Sequence, residues 1–319
     1  MSGSHQANQP HSGEAKAGQA RAGVLSVGVA VQDFVYFVDE MPVRPDKYRA
    51  LDMAVVGGGC AATSSVAVAV LGGRSLLATR LGQDRIGDQI VAELSGYGVD
   101  CGLARQFPGR RSSLSSVFVD RTGERLIMNF RDHDLPAGFE WLPELAGLGV
   151  GAVLADTRWP DGAEAAMRAA RAAGLPGIVD AERPVREAEA AVRLASHIAF
   201  SRNGLIDWTG HDDLAAGAHE VVDETGAFVS VTDGAHGTWF AGAGETGHVP
   251  AFAVTAVDTL GAGDVWHGAF ALLLAEGQDE RSAIRFASAA AAIKCSRYGG
   301  RAGIPGRAEV EAFMMEQAA

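Results

Sequence analysis

Residues 258–270 read DTLGAGDVWHGAF: three small residues, Gly261, Ala262 and Gly263, run straight into an acid, Asp264, at the start of an apolar helical stretch. Small residues leave backbone N–H groups uncovered, and the amino end of a helix adds a partial positive charge. Such a turn suits an anion, for example a phosphoryl group in transfer. A carboxylate in the first helical turn is stabilised there, and beside a phosphate pocket it could accept a proton from an attacking hydroxyl. The turn would then be anion hole and base together. Read alone, the same tetrapeptide is equally a tight turn with Asp264 as a helix cap.

Chemistry of this kind needs elements that bring the turn to a shared edge. Short apolar runs read as buried strands: first the one that opens the stretch VLSVGVAVQDFVYFVDEMP and ends before Asp33, then SLLAT near 76, GAVLAD near 152, PGIVDA near 177, HIAFS near 197 and AFVSVTDG near 228. Most are separated by Ala-rich segments of helical periodicity, such as DGAEAAMRAARAAG and GDQIVAELSGYG. The alternation predicts a mostly parallel sheet covered on both faces, with ligands beyond the carboxyl ends of its strands. Asp33 is expected just past the first strand, and Arg158 follows AVLAD, where ligand-binding residues belong. KYRALDMAVVGGG and SSLSSVFVDRTGERLIMNFRDHDLP break the alternation and read as antiparallel material, the second a hairpin turning at DRTGE. They predict a small sheet over the site, a lid able to exclude water.

The 319 residues, 47% of them hydrophobic, support one large α/β domain with an appendage. A net charge of -12 leaves no field to attract nucleic acid or anionic membrane, so an anionic ligand must be caught by a few local cations. Three widely spaced cysteines, Cys60, Cys101 and Cys295, form no C-x-x-C pair and suggest neither a disulfide framework nor a zinc site. The first residues lack the apolar core of a signal peptide, and no apolar run approaches the roughly 20 residues that cross a bilayer. A cytoplasmic location is expected, with a disordered tail over 1–22 and one domain over 23–319 carrying a lid at about 43–56 and 112–131.

VDTLGAGD ahead of an apolar, small-residue helix resembles the D-T-x-G-A-G-D signature of the ribokinase-like (PfkB) sugar kinases. VVGGGCAATSSVAVAVLGG resembles their early glycine-rich motif, with Gly57, Gly58 and Gly59 before a helix, and LGQDRIGD their G-x-D-x-x-G element. A bare GGG could be a packing turn; its company identifies it. The resemblance spans about residues 24 to 318. It implies a three-layer α/β/α fold with a mostly parallel sheet, a β lid that often supports a homodimer, and the use of ATP with Mg2+. It makes Asp264 the catalytic base and the amides of Gly261, Ala262 and Gly263 the anion hole. Asp33 becomes the acid that binds sugar hydroxyls, with Gly57, Gly58 and Gly59 beside the sugar. Thr232, Gly234 and Gly237 in VTDGAHGTW fall where the family's nucleotide loop lies, and Gly299 in YGGRAG where its adenine or monovalent-cation loop lies, although Gly299 is equally a helix stop. SRNG at 201–204 replaces the family's N-x-x-E, so the usual acidic helper for hydrated magnesium is missing; Asp180 could stand in.

Within the family, PDKY, GGGCAAT, GERLIMNF, LADTRWPDG and KCSRYGGRAGIP resemble the kinases that phosphorylate the 1-hydroxyl of 6-deoxy-6-sulfofructose. That resemblance implies that Lys47, Asn129 and Arg158 hold the sulfonate. A sulfonate is a permanent monoanion that needs donors only; Arg158 offers a planar fork, Lys47 a point charge and Asn129 a neutral donor. By residue type alone, Lys47 is equally a solvated loop lysine, Asn129 a polar residue on a strand face and Arg158 a surface arginine. Another ketose, fructose or fructose 6-phosphate, is the alternative acceptor. A dinucleotide oxidoreductase fits poorly, since VVGGGCAATS does not give G-x-G-x-x-G with an acid about 20 residues on. A nucleotide sensor without turnover is the alternative from a different class.

Overall fold

A computed structural model of the protein describes residues 22–242 and 244–317. The expected tail lies outside these residues except for Ala22. The strands are β1 (Gly23–Gly28), β2 (Val31–Phe37), β3 (Asp52–Gly58), β4 (Arg74–Gly82), β5 (Asp100–Phe107), β6 (Leu114–Val119), β7 (Arg125–Phe130), β8 (Ala152–Asp156), β9 (Gly177–Ala181), β10 (His197–Ser201), β11 (Phe228–Thr232), β12 (Thr238–Gly242) and β13 (Glu245–Val249). The helices are α1 (Cys60–Val70), α2 (Arg85–Gly96), α3 (Pro160–Ala173), α4 (Glu189–Leu194), α5 (Arg202–Thr209), α6 (Leu214–Thr225), α7 (Ala262–Ala275), α8 (Glu280–Cys295) and α9 (Arg307–Glu316).

Nine strands form the large sheet in the order β13-β12-β11-β10-β9-β8-β1-β4-β5. It is parallel except where β12 pairs antiparallel with β11 and β13. Strands such as β8 and β9 are buried throughout because helices cover both faces. Strand alternation sends Val24, Leu77 and Leu154 into the layer of α1, α7 and α8, and Leu25, Val27 and Val153 into the layer of α3 to α6. Each fully buried Leu or Phe in these layers contributes about 1.5–3 kcal/mol. Helices α1 and α7 approach closely at Gly268, where a Cβ would lie 2.4 Å from the Ser64 carbonyl oxygen. β1 sits between β4 and β8, so the strand order reverses there, the place where open α/β sheets bind ligands.

The small sheet has the order β3-β2-β6-β7. Its β2 strand follows directly on the expected first core strand, where a turn holding Asp33 was expected, so the lid draws on residues 31–37 as well as the two stretches anticipated. The physical cause is Asp156 at the end of β8: it accepts the Val29 amide at 2.8 Å, and a Cβ on Gly28 would lie 2.2 Å from its carboxylate. The chain therefore leaves the core sheet at Gly28 and re-forms as a lid strand. Asp33 consequently sits inside a lid strand, not in a turn after a core strand. Asp84 joins core to lid, capping α2 through the Gly87 amide (2.7 Å) and accepting the Ser112 amide (2.8 Å) just before β6.

Candidate active site

Below the lid, the carboxyl ends of β1, β8 and β9 meet the amino ends of α1 and α7. A cleft of about 70 Å³ lies there, lined by Asp33, Gly57, Gly58, Gly59, Thr63, Leu260, Gly261, Asp264, Val265, Gly300 and Arg301.

Gly261 caps α7 with φ of 74°, a left-handed conformation that a side chain would strain. The Ala262 amide donates to the Thr259 carbonyl at 3.2 Å, so it is engaged in the turn itself. The amides of Gly261 and Gly263 donate in no hydrogen bond among the described residues. First-turn N–H groups lack intrahelical acceptors, and the helix dipole reinforces them, so the turn can hold an anion with two amides rather than three. The Ser64 hydroxyl donates to the Asp264 carbonyl at 2.9 Å and fixes α1 against this turn.

The Asp264 carboxyl is pushed up to about 7, chiefly by burial and then by the charge of Asp156; Arg301 and a hydrogen bond from the Cys60 thiol oppose the rise. Burial likewise raises the buried Asp156, against the amides of Val29 (2.8 Å), Ala61 (3.1 Å) and Arg158 (2.8 Å). Asp180, at the end of β9, is raised well above the usual range by burial and then by the charges of Asp264 and Asp156. Both its oxygens are buried without a hydrogen-bond partner among the described residues. Oxygens of Asp180 and Asp264 and the Cys60 sulfur lie within 4.8 Å of one another. His267 Nδ1 is 3.4 Å from Asp180 Oδ2, and burial lowers its imidazole to about 4, so the ring is neutral and packs behind the cleft. A carboxylate titrating near neutrality is poised to take a proton from an alcohol.

On the lid, β pairing places Asp33, Ser115 and Asn129 side by side on one face. Asn129 Nδ2 donates to Ser115 Oγ at 3.1 Å, and burial raises Asp33 against a hydrogen bond from Ser115. The glycine edge opposite explains itself by close approach. A Cβ on Gly58 would lie 2.3 Å from Asp33, and one on Gly57 1.9 Å from the Arg301 guanidinium. Arg301 is buried and donates to the Gly58 carbonyl (2.8 Å), Thr63 Oγ1 (3.3 Å) and Glu93 (3.0 Å). Arg158 lies on the core side, donating to the Arg183 carbonyl at 2.8 Å, with its charge felt at Asp156, Asp180 and Cys60. Lys47 is in an exposed loop between β2 and β3, and its side chain makes no hydrogen bond or ion pair among the described residues. The structure thus joins Asp33, Asn129 and the glycine edge, keeps Arg158 with the buried acids at the end of the core strands, and leaves Lys47 in an exposed loop.

Thr232 ends β11, its hydroxyl donating to the Phe200 carbonyl at 3.4 Å, and Gly234 opens a short turn, Gly234–His236, at the same sheet edge. A Cβ on Gly237 would meet the Val249 carbonyl at 2.2 Å, which keeps this loop tight. Gly299, with φ of 105°, precedes Gly300, whose amide donates to Asp258 at 3.3 Å. It belongs to the packing around the signature turn.

The sequence profile of pfkB family carbohydrate kinases matches residues 21–307. The chain belongs to the pfkB family of carbohydrate kinases. Fructokinase-1 of Zea mays is 30% identical over 317 residues, covering 90% of this chain and 96% of that protein. A candidate ribokinase from Agrobacterium tumefaciens superimposes with a TM-score of 0.89 at 36% identity, covering 94% of this chain and 100% of that one. An Arabidopsis thaliana ribokinase solved with ribose and ATP shares the fold, with a TM-score of 0.81 at 23% identity over 93% of this chain and 99% of that one. This pfkB chain therefore has the expected ribokinase-like layering with a small separate sheet.

Its N-x-x-E replacement is a helix cap: Ser201 Oγ accepts the Gly204 amide at 3.0 Å to open α5, and Arg202 pairs with Asp233 at 3.1 Å. Sequence reasoning singled out the glycines of YGGRAG and passed over Arg301, the cation that lines the cleft. It also passed over Asp156 and Cys60. Asp156 ends a fully apolar run, which was a visible signal, whereas Arg301 reaches the cleft only through contacts with residues far away in the chain.

Proposed function

We propose that this pfkB kinase transfers the γ-phosphoryl group of ATP to the 1-hydroxyl of 6-deoxy-6-sulfofructose. Asp264 takes the proton of the attacking hydroxyl, and the amides of Gly261 and Gly263 stabilise the charge of the group in transfer. The observation that carries the reaction class is the pairing, in one turn, of two unengaged amides with a carboxyl raised to about 7. Asp33 and Asn129 bind the sugar from the lid, and the glycine edge lets it lie close to the backbone. For the sulfonate we assign Asn129 and Arg158, with Lys47 reaching in from its loop; Arg158 must exchange the Arg183 carbonyl for the anion. Thr232, Gly234 and Gly237 bound the nucleotide, with Gly299 behind the turn.

Asp180 fits magnesium, because its two buried oxygens are free and a hard cation takes carboxylate, phosphate and water oxygens. Bound there with the nucleotide, the ion would neutralise phosphate charge. A homodimer forms through the outer lid face, where alternation puts Met53, Val55, Leu126 and Met128 opposite the Asp33 face, each at least 39% exposed. Among the described residues no helix is long and apolar enough to cross a membrane, consistent with the proposed cytoplasmic enzyme.

The likeness to fructokinase, and the engagement of Arg158 with backbone, favour a second reading in which an unsubstituted ketose such as fructose is the acceptor. ADP release measured against sulfofructose, fructose 6-phosphate and fructose separates the two. The proposal expects sulfofructose to give the highest kcat/KM, and Arg158→Ala to lower it at least about tenfold more for sulfofructose than for fructose. Equal losses on both sugars, or a preference for fructose, sink the sulfonate assignment while leaving the kinase chemistry intact.

A further inference from the structure

Lys294 lies in the last turn of α8 with no exposed surface. Its ammonium donates to the Asp258 carbonyl oxygen at 2.8 Å and sits 3.3 Å from Asp258 Oδ2. Asp258 is the first residue of the signature turn, and its carboxylate gathers the turn together. Oδ1 accepts the Leu260 amide at 2.9 Å and Arg125 from lid strand β7 at 3.1 Å, while Oδ2 accepts the Gly300 amide at 3.3 Å. The neighbouring Cys295 carbonyl accepts the amides of Val257 and Asp258 at 2.8 and 3.1 Å.

Burying an ammonium costs several kcal/mol unless it is paired and hydrogen-bonded, and an apolar side chain would fill the same space in α8 at lower cost. Among the described residues the charge meets acceptors at one place, Asp258. The carbonyl and the carboxylate of Asp258 both converge on the Lys294 nitrogen; without a cation between them the two oxygens repel, and the carboxylate swings away. The Leu260 amide is bonded to that carboxylate, so the swing carries Leu260 and the adjoining Gly261 amide with it. Desolvation lowers the Lys294 ammonium and the charge of Asp258 opposes this, while burial of Asp258 is outweighed by the Leu260 amide and Lys294, which hold it below the usual carboxylate range.

We propose that Lys294 is a built-in cation, a positioning residue that holds the Asp258–Gly261 turn in the geometry that receives the transferring phosphoryl group. Turnover then needs this ammonium and no monovalent ion from solution. The inference rests on the signature turn as the phosphoryl site and not on which sugar is the acceptor. A small monovalent cation satisfies the same two oxygens, so it restores what removal of the ammonium takes away.

The test is ADP release by the full chain, with ATP, magnesium and the best sugar of the panel above, in tetramethylammonium buffer to which KCl or NH4Cl is added. Wild type is expected to change by less than about twofold, whereas Lys294→Met loses about a hundredfold in kcat with KM changed by less than about threefold. Either small cation should return at least about a tenth of the lost rate, an effect that a merely structural lysine would not produce. A folded Lys294→Met that keeps most of its activity, loses only KM, or is not restored by either ion overturns the proposal. Wild type stimulated about tenfold by KCl or NH4Cl overturns it too, and that arm needs only the native protein should the variant fail to fold. Asp264→Asn in the same assay separates the two readings: if it stays active, the phosphoryl-site assignment fails, whereas salt-stimulated wild type removes the Lys294 claim alone.

Discussion

Asp264 makes no ion pair among the described residues: its close neighbours are the carboxyl of Asp180 and the Cys60 thiol, and burial with the charge of Asp156 lifts it to about 7. Asp258, at the other end of the same turn, receives Lys294, Arg125 and two backbone amides, which hold its carboxyl below the usual range despite burial. One residue type, in one motif, is prepared as a proton acceptor at one end and as a permanent anion at the other. The difference lies in what surrounds each carboxylate: acids and a thiol raise its proton affinity, cations and amides lower it. A motif scan treats both aspartates as invariants of a pattern, while their environments assign them separate work.

The contrast can be broken most severely at the acceptor. Asp264→Asn should lower kcat by about a thousandfold or more with little change in KM, and Asp258→Asn by about ten- to a hundredfold, since its amide still accepts the Leu260 N–H but no longer balances Lys294. Steady-state kinetics on both variants check this, and equal losses would erase the distinction. Next in size is the pH dependence. Asp264 must be ionised to act, so kcat/KM should fall about tenfold per pH unit below a midpoint near 7 and be flat above it, as a rate profile from pH 5 to 9 would reveal. Asp258, with a lowered carboxyl, adds no limb in that range.

The smallest effect is on stability, and its sign differs between the two. The folded-state pKa of Asp264 is raised above its unfolded value, so the folded chain holds that proton more tightly and stability is lost as pH rises toward 7. Asp264→Asn removes that loss and should raise Tm by about 2–5 °C at pH 8, with the gain shrinking toward pH 4. For Asp258 the folded pKa is depressed, so its carboxylate contributes stability above the unfolded pKa that disappears as pH falls through the folded value. Asp258→Asn should therefore lower Tm alike at pH 8 and pH 5 and matter less only below about pH 4, and thermal melts of the two variants at about pH 3, 5 and 8 measure both signs.

How much of this could be read from residue order varies with the kind of contact. The buried strands GIVDA and AVLAD and the helix after GAGD follow from local apolar patterning, and the DRTGE hairpin from the Asp120 carboxylate, which accepts the amides of Thr122 and Glu124. The start of lid strand β2 directly after β1 was not legible, because its cause is a tertiary one, the Asp156 carboxylate pressing on Gly28. The turn announced Asp264 and its amides, yet not that the Ala262 amide is already bonded to Thr259. Arg301 and Lys294 were hidden for the same reason. Each comes from the far end of the chain to meet glycines and an aspartate that local sequence could not pair with it.

The most direct test of the central claim is a crystal structure of the enzyme with a non-hydrolysable ATP analogue and the acceptor sugar. The account predicts the terminal phosphorus over the Gly261 and Gly263 amides, with the sugar 1-hydroxyl within hydrogen-bond reach of the Asp264 carboxylate. A phosphorus remote from that turn, with another side chain on the reacting hydroxyl, would contradict it.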